Sequence, residues 1–357
     1  LEGKTADQVS VDNQQMGNAQ QLTQNEQVFD GVRRPTTGDQ SCRFVIFHCY
    51  GGAHSSVTTS GIYLGFLPRD RVPSTAEILK VPHYDGEEAI THGHFRFMGR
   101  DQADRAVFVL GKGRLGPHIN RLLMIITGIY GCAVNFFTVD TTAHVNLLMC
   151  CGGYLSRAQK IVCLGRPVVL LGTKLAYDRF ALLASRSETR LRENGAPGLP
   201  GPGERLPRRV VFYLCPDGFR YPLLAAGFHA HPGMSDRQAL DWARGQSFTG
   251  GVGSVLLAGL AGDHQVFLVG AGRDPVIVGR IIRDLRLFLE VPQSDCLVVN
   301  PGLKPSYTGY LVARGCLRLG LYRLHRLLEE WLFRKYINAC RRESVGVIRR
   351  IKEGILD

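Results

Sequence analysis

Apolar positions in this chain come in short, nearly continuous runs separated by stretches with helical spacing. Residues 43–49, 107–110, 134–139 and 167–171 are runs of Val, Ile, Phe and Leu of strand length, which predicts buried β-strands. Between them, 55–66, 116–130 and 143–157 carry apolar residues at the three-and-four spacing of amphipathic helices. Strands alternating with helices predict an α/β fold whose sheet is mainly parallel and covered by helices on both faces. The carboxyl ends of such strands are the usual place for a ligand, and Cys49, Gly111 to Arg114 and Asp140 would lie there.

The same pattern returns further along. "VIFHCYGG" (45–52) is answered by "VFYLCPDG" (211–218), "VFVLGKGR" (107–114) by "VFLVGAGR" (266–273), "NFFTVD" (135–140) by "DCLVVN" (295–300), and "GGYLSR" (152–157) by "RGCLR" (314–318). Four landmarks in one order predict a duplication, and hence two tandem three-layer α/β domains. The first would span 41–185 and the second, a degenerate copy, 209–357. Residues 186–208 are interrupted throughout by Gly and Pro and read as a linker. Residues 1–40 are rich in Gln and Asn and read as a disordered polar tail.

Composition narrows the class. The chain has 357 residues, 45% of them hydrophobic and 21% charged, as expected for a globular protein of two domains. Its ten cysteines form no C-x-x-C pair and lie mostly in apolar runs, the pattern of reduced, buried thiols rather than of a disulfide framework or zinc site. No apolar run approaches the roughly 20 residues of a membrane span. The polar first forty residues predict no secretory leader, although the chain begins at Leu1 rather than Met. A cytoplasmic location is therefore expected. No motif names a cofactor.

A net charge of +12 points to an anionic partner. Eleven Lys or Arg face three Glu between Arg314 and Lys352, a net of +8. There Leu317, Leu321, Leu324, Leu328, Trp331 and Lys335 define one stripe of an amphipathic helix whose outer face is basic. Docking on its own domain or on the other copy is the simplest use of that stripe. Contact with nucleic acid or an anionic membrane surface through 314–352 is the other.

Candidate chemistry gathers in "FHCYGGAHSS" (47–56). Gly51 and Gly52 allow backbone angles that expose successive N–H groups, and a helix starting near Ser55 adds its unpaired N–H groups and the positive end of its dipole. An oxyanion would be bound there, with Ser55 and Ser56 as further donors, and the same dipole would favour the Cys49 thiolate. Cys49 and His54 are the candidate catalytic residues, with His48 a further general acid or base. A buried strand end followed by a helix cap accounts for the same residues equally well. Lys112 and Arg114, in a glycine turn, would neutralise the anion, and no G-x-x-x-x-G-K-[ST] loop occurs. Asp140 and Asn146 could orient a ligand hydroxyl or cap a helix. No metal site is expected; His83, Asp85, His92 and His94 are the weak candidates, because no third ligand is fixed by spacing. In the second copy "CPDGFRYP" replaces the hydroxyl pair, and Pro216 and Pro222 remove donors.

The spacing Cys49, Gly52, Ser55, Ser56 resembles the phosphocysteine loop of sugar-phosphotransferase enzyme IIB components. It is also similar to that of low-molecular-weight tyrosine phosphatases, except that Ser55 stands where they carry Arg, which disfavours their chemistry. Over a longer span, "FHCYGGAHSSVTTSGIYLGFLP", "FRFMG", "VFVLGKGR", "FFTVDTTAHVNLLMCCGGYLSR" and "GRPVVLLGTKLAY" resemble the bacterial domain-of-unknown-function family 3189, from residue 43 to about 180. That resemblance implies one α/β domain per copy and a cytoplasmic location, and it assigns no substrate. The family is found mainly in spore-forming Gram-positive anaerobes and their relatives. Two functions are therefore expected as alternatives: binding of a phosphorylated or anionic small ligand at the first loop, with phosphoryl or thiol chemistry, or a non-enzymatic regulatory or assembly role, sporulation-associated, through the basic helix.

Overall fold

A computed structural model describes residues 43–86, 92–130, 136–159, 161–193, 209–216, 221–248, 250–301 and 319–354, with 312, 315 and 316. The chain forms two compact units. One comprises Leu1–Gly113 and Ala133–Gly201, the other Arg114–Cys132 and Pro202–Asp357. The tail and the 194–208 part of the linker lie outside the described residues.

In the first unit β1 (Phe44–Cys49) lies between β3 (Ala106–Gly111) and β4 (Phe136–Asp140), parallel to both, and β2 (Phe95–Arg100) runs antiparallel along the outside of β3. The register sets Cys49 beside Gly111 and His48 beside Asp140. Alternation along β1 sends Val45 and Phe47 to one face. There they pack with residues from α1 (Ser55–Tyr63), α2 (Thr75–Leu79), α5 (Val162–Leu175) and α6 (Tyr177–Glu193). The opposite face, with Phe44, Ile46, Phe108 and Leu110, is buried too. A fifth helix, α4 (Leu147–Gly153), continues as a π-helical turn, Tyr154–Ala158, and then turns back into α5.

The second unit repeats the sheet. Strand β5 (Arg209–Pro216) lies between β7 (His264–Gly272) and β8 (Cys296–Val299), parallel to both, with β6 (Val255–Ala261) antiparallel at the edge. Even the edge irregularity recurs: the register shifts between Phe97 and Gly99 in β2, and between Leu257 and Gly259 in β6. Both glycines have φ +151°, which a residue with a side chain rarely adopts. Helices α7 (Tyr221–Ala230), α8 (Asp236–Gly245) and α10 (Tyr322–Glu353) cover one face of this sheet, and α9 (Pro275–Phe288) covers the other. Helix α3 (His118–Ile129) follows β3 in the chain, yet its contacts place it in the second unit beside α9.

The fold is mixed α/β with two four-stranded sheets, as the alternating pattern predicts. Three expectations are corrected. "PVVLL" (167–171) is helical, inside α5, because a short apolar run cannot by itself separate a buried strand from a buried helix turn. Here small residues decide: Gly165 and Gly172 let α5 lie against α4 so closely that a Cβ at Gly165 would stand 2.4 Å from the Ser156 nitrogen. Residues 186–193, expected to begin the linker, are the last turns of α6, where Leu191 is buried and Glu188 pairs with Arg192. The third concerns α10. It docks through Phe333, Ile337, Cys340 and Val347 onto its own unit's core, while Leu321, Leu324 and Trp331 of the expected stripe are exposed.

Candidate functional site

The sequence between β1 and α1 makes a tight turn because two glycines remove the side chains that would block it. Gly52 has φ +73°, and a Cβ there would stand 2.6 Å from the Gly111 nitrogen. A Cβ at Gly111 would in turn stand 2.8 Å from the Gly51 carbonyl oxygen. The β1 and β3 ends can meet only as glycines, and Lys112 N–H then donates to the Cys49 carbonyl at 2.9 Å, with Gly113 N–H donating to Tyr50 at 2.9 Å. The turn is pinned from below by Arg96 on β2, a buried guanidinium that donates to the Gly52 carbonyl.

Inside this turn the Cys49 sulfur accepts the Gly52 N–H at 3.0 Å and lies 3.2 Å from the Ser56 hydroxyl. The sulfur therefore stands beside the first turn of α1, through the Ser56 hydroxyl. His54 occupies the cap position of α1, and its side chain makes no capping hydrogen bond. Ser55 and Ser56 are both buried. Ser55 accepts from Thr141 at 3.0 Å, so its hydroxyl holds the β4 end against α1.

His54 instead turns to the segment before β2. Its Nε2 lies 3.2 Å from Asp85 Oδ1, and Asp85 also accepts from Arg166 Nε at 2.6 Å and Ser156 Oγ at 3.3 Å. Burial alone would raise the Asp85 pKa, but the bonds from His54 and Arg166 outweigh it and hold the carboxyl at about 2. Asp85 is thus an anion at neutral pH, and His54 Nε2 donates to it. Arg166, reaching in from α5, keeps a side chain 37% exposed.

The other sequence-flagged groups go elsewhere. His48 follows the alternation to the opposite face from Cys49 and is 1% exposed. Burial, helped by the nearby Lys112 ammonium, pushes its pKa down to about 4 against the pull of Asp140, so it stays neutral at pH 7. Lys112 itself is buried and donates to Asp140 at 2.5 Å. Burial opposes ionisation of Asp140, but bonds from Lys112 and Thr142 N–H keep its pKa below the ordinary value. Arg114 is exposed and belongs to the second unit. Asn146 caps α4, accepting from Met149 N–H at 2.9 Å and donating to the Gly172 carbonyl at 2.7 Å. Of the weak metal candidates, His83 meets the Phe97 carbonyl at 3.0 Å and Asp85 is held as described. His92 lies edge-on to Tyr50, and His94 is buried. Among the described residues no three His, Cys, Asp or Glu side chains cluster to hold a metal.

Sequence reading missed Arg96, Ser156 and Arg166. Arg96 alone carried a signal, a cation alternating with Phe95 and Phe97 on a strand; the other two meet the turn only through the fold. The second unit keeps the strand-end thiol, since Cys215 pairs in register with Gly270 as Cys49 does with Gly111. There the chain at Gly250 comes close, a Cβ at that glycine standing 3.5 Å from the sulfur. The partner of Gly52, Gly218, lies outside the described residues. Of the eight cysteines described, all free, Cys49, Cys215, Cys296, Cys316 and Cys340 are buried, whereas Cys150, Cys151 and Cys163 are exposed, contrary to the expectation for apolar runs.

Sheet order, strand-end turn and thiol together define the first unit as an α/β domain with its candidate site at the carboxyl ends of parallel strands. Residues 44–187, which carry all four strands of the first sheet, match the family described as protein of unknown function DUF3189. No curated protein and no solved structure matches the chain. Among the described residues no helix is long and apolar enough to cross a membrane.

Proposed function

We propose that the first unit binds a phosphorylated or otherwise anionic small ligand at the β1–α1 turn, beside Cys49. The observation that carries this reading is the meeting of the Gly52 N–H and the Ser56 hydroxyl on the Cys49 sulfur, at the start of a helix whose cap residue makes no capping bond. In this reading the turn is a phosphate-binding loop, formed by the backbone at Gly51 and Gly52. The ligand's charge is met by that backbone and by Arg166, whose Nε holds Asp85 but whose side chain stays part-exposed, whereas Lys112 is buried against Asp140; Ser55 supports the turn from beneath. Cys49 is the nucleophilic group to test; His54, whose Nε2 is engaged by Asp85, has only Nδ1 to offer as the base. The ligand binds to the folded chain, so it raises the melting temperature of the full protein with concentration. Phosphate, sulfate, nucleotides and sugar phosphates are the probes. An equal response in wild type and in Cys49→Ser, Ser56→Ala and Arg166→Gln would refute the site.

A second reading has its own observation. The first turns of α10 expose Leu324, Leu327 and Trp331 beside Arg323, Arg326 and Arg334. A regulatory or assembly protein would present this face to an anionic partner, with nucleic acid as the first probe. Arg323→Glu/Arg326→Glu should then abolish that binding and leave the ligand response intact. We further infer that the units arose by tandem duplication, which the shared strand order and the glycine at the same edge bulge support. Free cysteines throughout the described residues support a cytoplasmic location.

A further inference from the structure

The α4–α5 hairpin presents an apolar face that no described residue of the unit covers. Leu147 (76% exposed) and Tyr154 (59%) project from its first arm, and Ile161, Leu164 (61%), Leu171 and Leu175 (66%) from its second. With the half-buried Val168, the positions 161, 164, 168, 171 and 175 step by three and four, so they form a single stripe along α5. The reverse side of the same helix is fixed. Gly165 and Gly172 seat it against Gly152, Ser156 and Met149, where any Cβ would collide, and Val169 and Thr173 are fully buried. The outward leucines are therefore held on a rigid support and cannot fold inward.

Charge indicates what such a face meets. From Thr141 to Tyr177 the chain has four cations and no carboxylate; with Arg166 held by Asp85, the cations that remain are Arg157, Lys160 and Lys174. Pairing two copies along this stripe would bring like charges together, whereas an anionic surface complements them. At 14 residues α5 is about 21 Å long, short of the ~30 Å hydrocarbon layer, so it suits a helix lying in the interface rather than crossing it. Tyr154 at the bend, whose hydroxyl accepts from Gln159 at 2.7 Å, has the apolar body and polar tip that favour the headgroup region.

The geometry points to the α4–α5 hairpin as the surface by which the first unit docks on anionic lipid bilayers. This is independent of the ligand reading and uses a different surface from α10. The test is cosedimentation of the full chain with phosphatidylcholine vesicles containing about 30% phosphatidylglycerol, beside vesicles of phosphatidylcholine alone. The expected result is binding to the anionic vesicles that weakens with added salt and falls at least about tenfold in Leu164→Gln/Leu171→Gln/Leu175→Gln. Leu327→Gln/Trp331→Gln in α10 should keep it. Should the triple variant fail to fold, Tyr154→Trp supplies a second readout: its emission must shift to the blue with anionic vesicles. Absence of binding, equal binding by the triple variant, or loss only in the α10 variant overturns the proposal. So does a dimer in sedimentation velocity that depends on Leu164 and Leu171, which would assign the stripe to a second copy.

Discussion

Gly52 and Gly111 touch where two strand ends enter one turn, and neither has room for a methyl group. Gly52→Ala would need a left-handed backbone at φ +73° and would press on main-chain atoms that cannot rotate away. We expect it to cost on the order of 2 kcal/mol or more in urea unfolding, with Gly51→Ala, which meets open space, near neutral. Matching midpoints for the two variants would contradict the turn geometry. His48 makes a second residue-level prediction. Its folded pKa, about 4, lies below the unfolded value of about 6.5, so the unfolded chain takes up the proton first. The stabilisation is complete above pH 6.5 and is lost as pH falls toward 4, with about 2 kcal/mol gone from this group by pH 5. His229 follows the same sign: burial, with His264 beside it, lowers its pKa to about 3. Unfolding at pH 7 and pH 5 should show a drop that narrows in His48→Asn; an unchanged drop would mean that His48 titrates alike in both states.

Among the elements, β1, β3, β4 and α1 were legible because continuous apolar runs and a glycine break leave little choice. The α4–α5 hairpin was not. "PVVLL" carries strand-forming residues, and what makes it helical is glycine contact with a helix that precedes it in the chain. In α10 every register of a leucine-rich basic helix looks amphipathic, and only the core of its unit selects Phe333, Ile337 and Cys340. The site divides the same way. Cys49, Gly52 and Ser56 are neighbours in sequence and touch within one turn, whereas Asp85 and Arg166 are 81 residues apart and meet only in the folded unit. The hairpin supplies an element-scale test. Asn146→Ala removes both the cap of α4 and the bond to Gly172, and should cost about 1–2 kcal/mol. A cost within error would mean that the hairpin is held by its glycine contacts alone.

At the scale of the molecule, two sheets share one strand order and one edge bulge, and each carries a cysteine at the carboxyl end of an inner strand, Cys49 closing β1 and Cys215 next to last in β5. Only the first is followed by the paired glycines and hydroxyls, so an account in which the chain binds an anion assigns that binding to the first unit. Melting of the full chain against a series of phosphorylated ligands tests this directly, with Cys49→Ser and Ser56→Ala alongside. The account requires at least one ligand to raise the wild-type melting temperature with concentration and to do so much less in both variants. A rise that both variants share, or cooperative melting of all three proteins with no rise for any ligand, would contradict it.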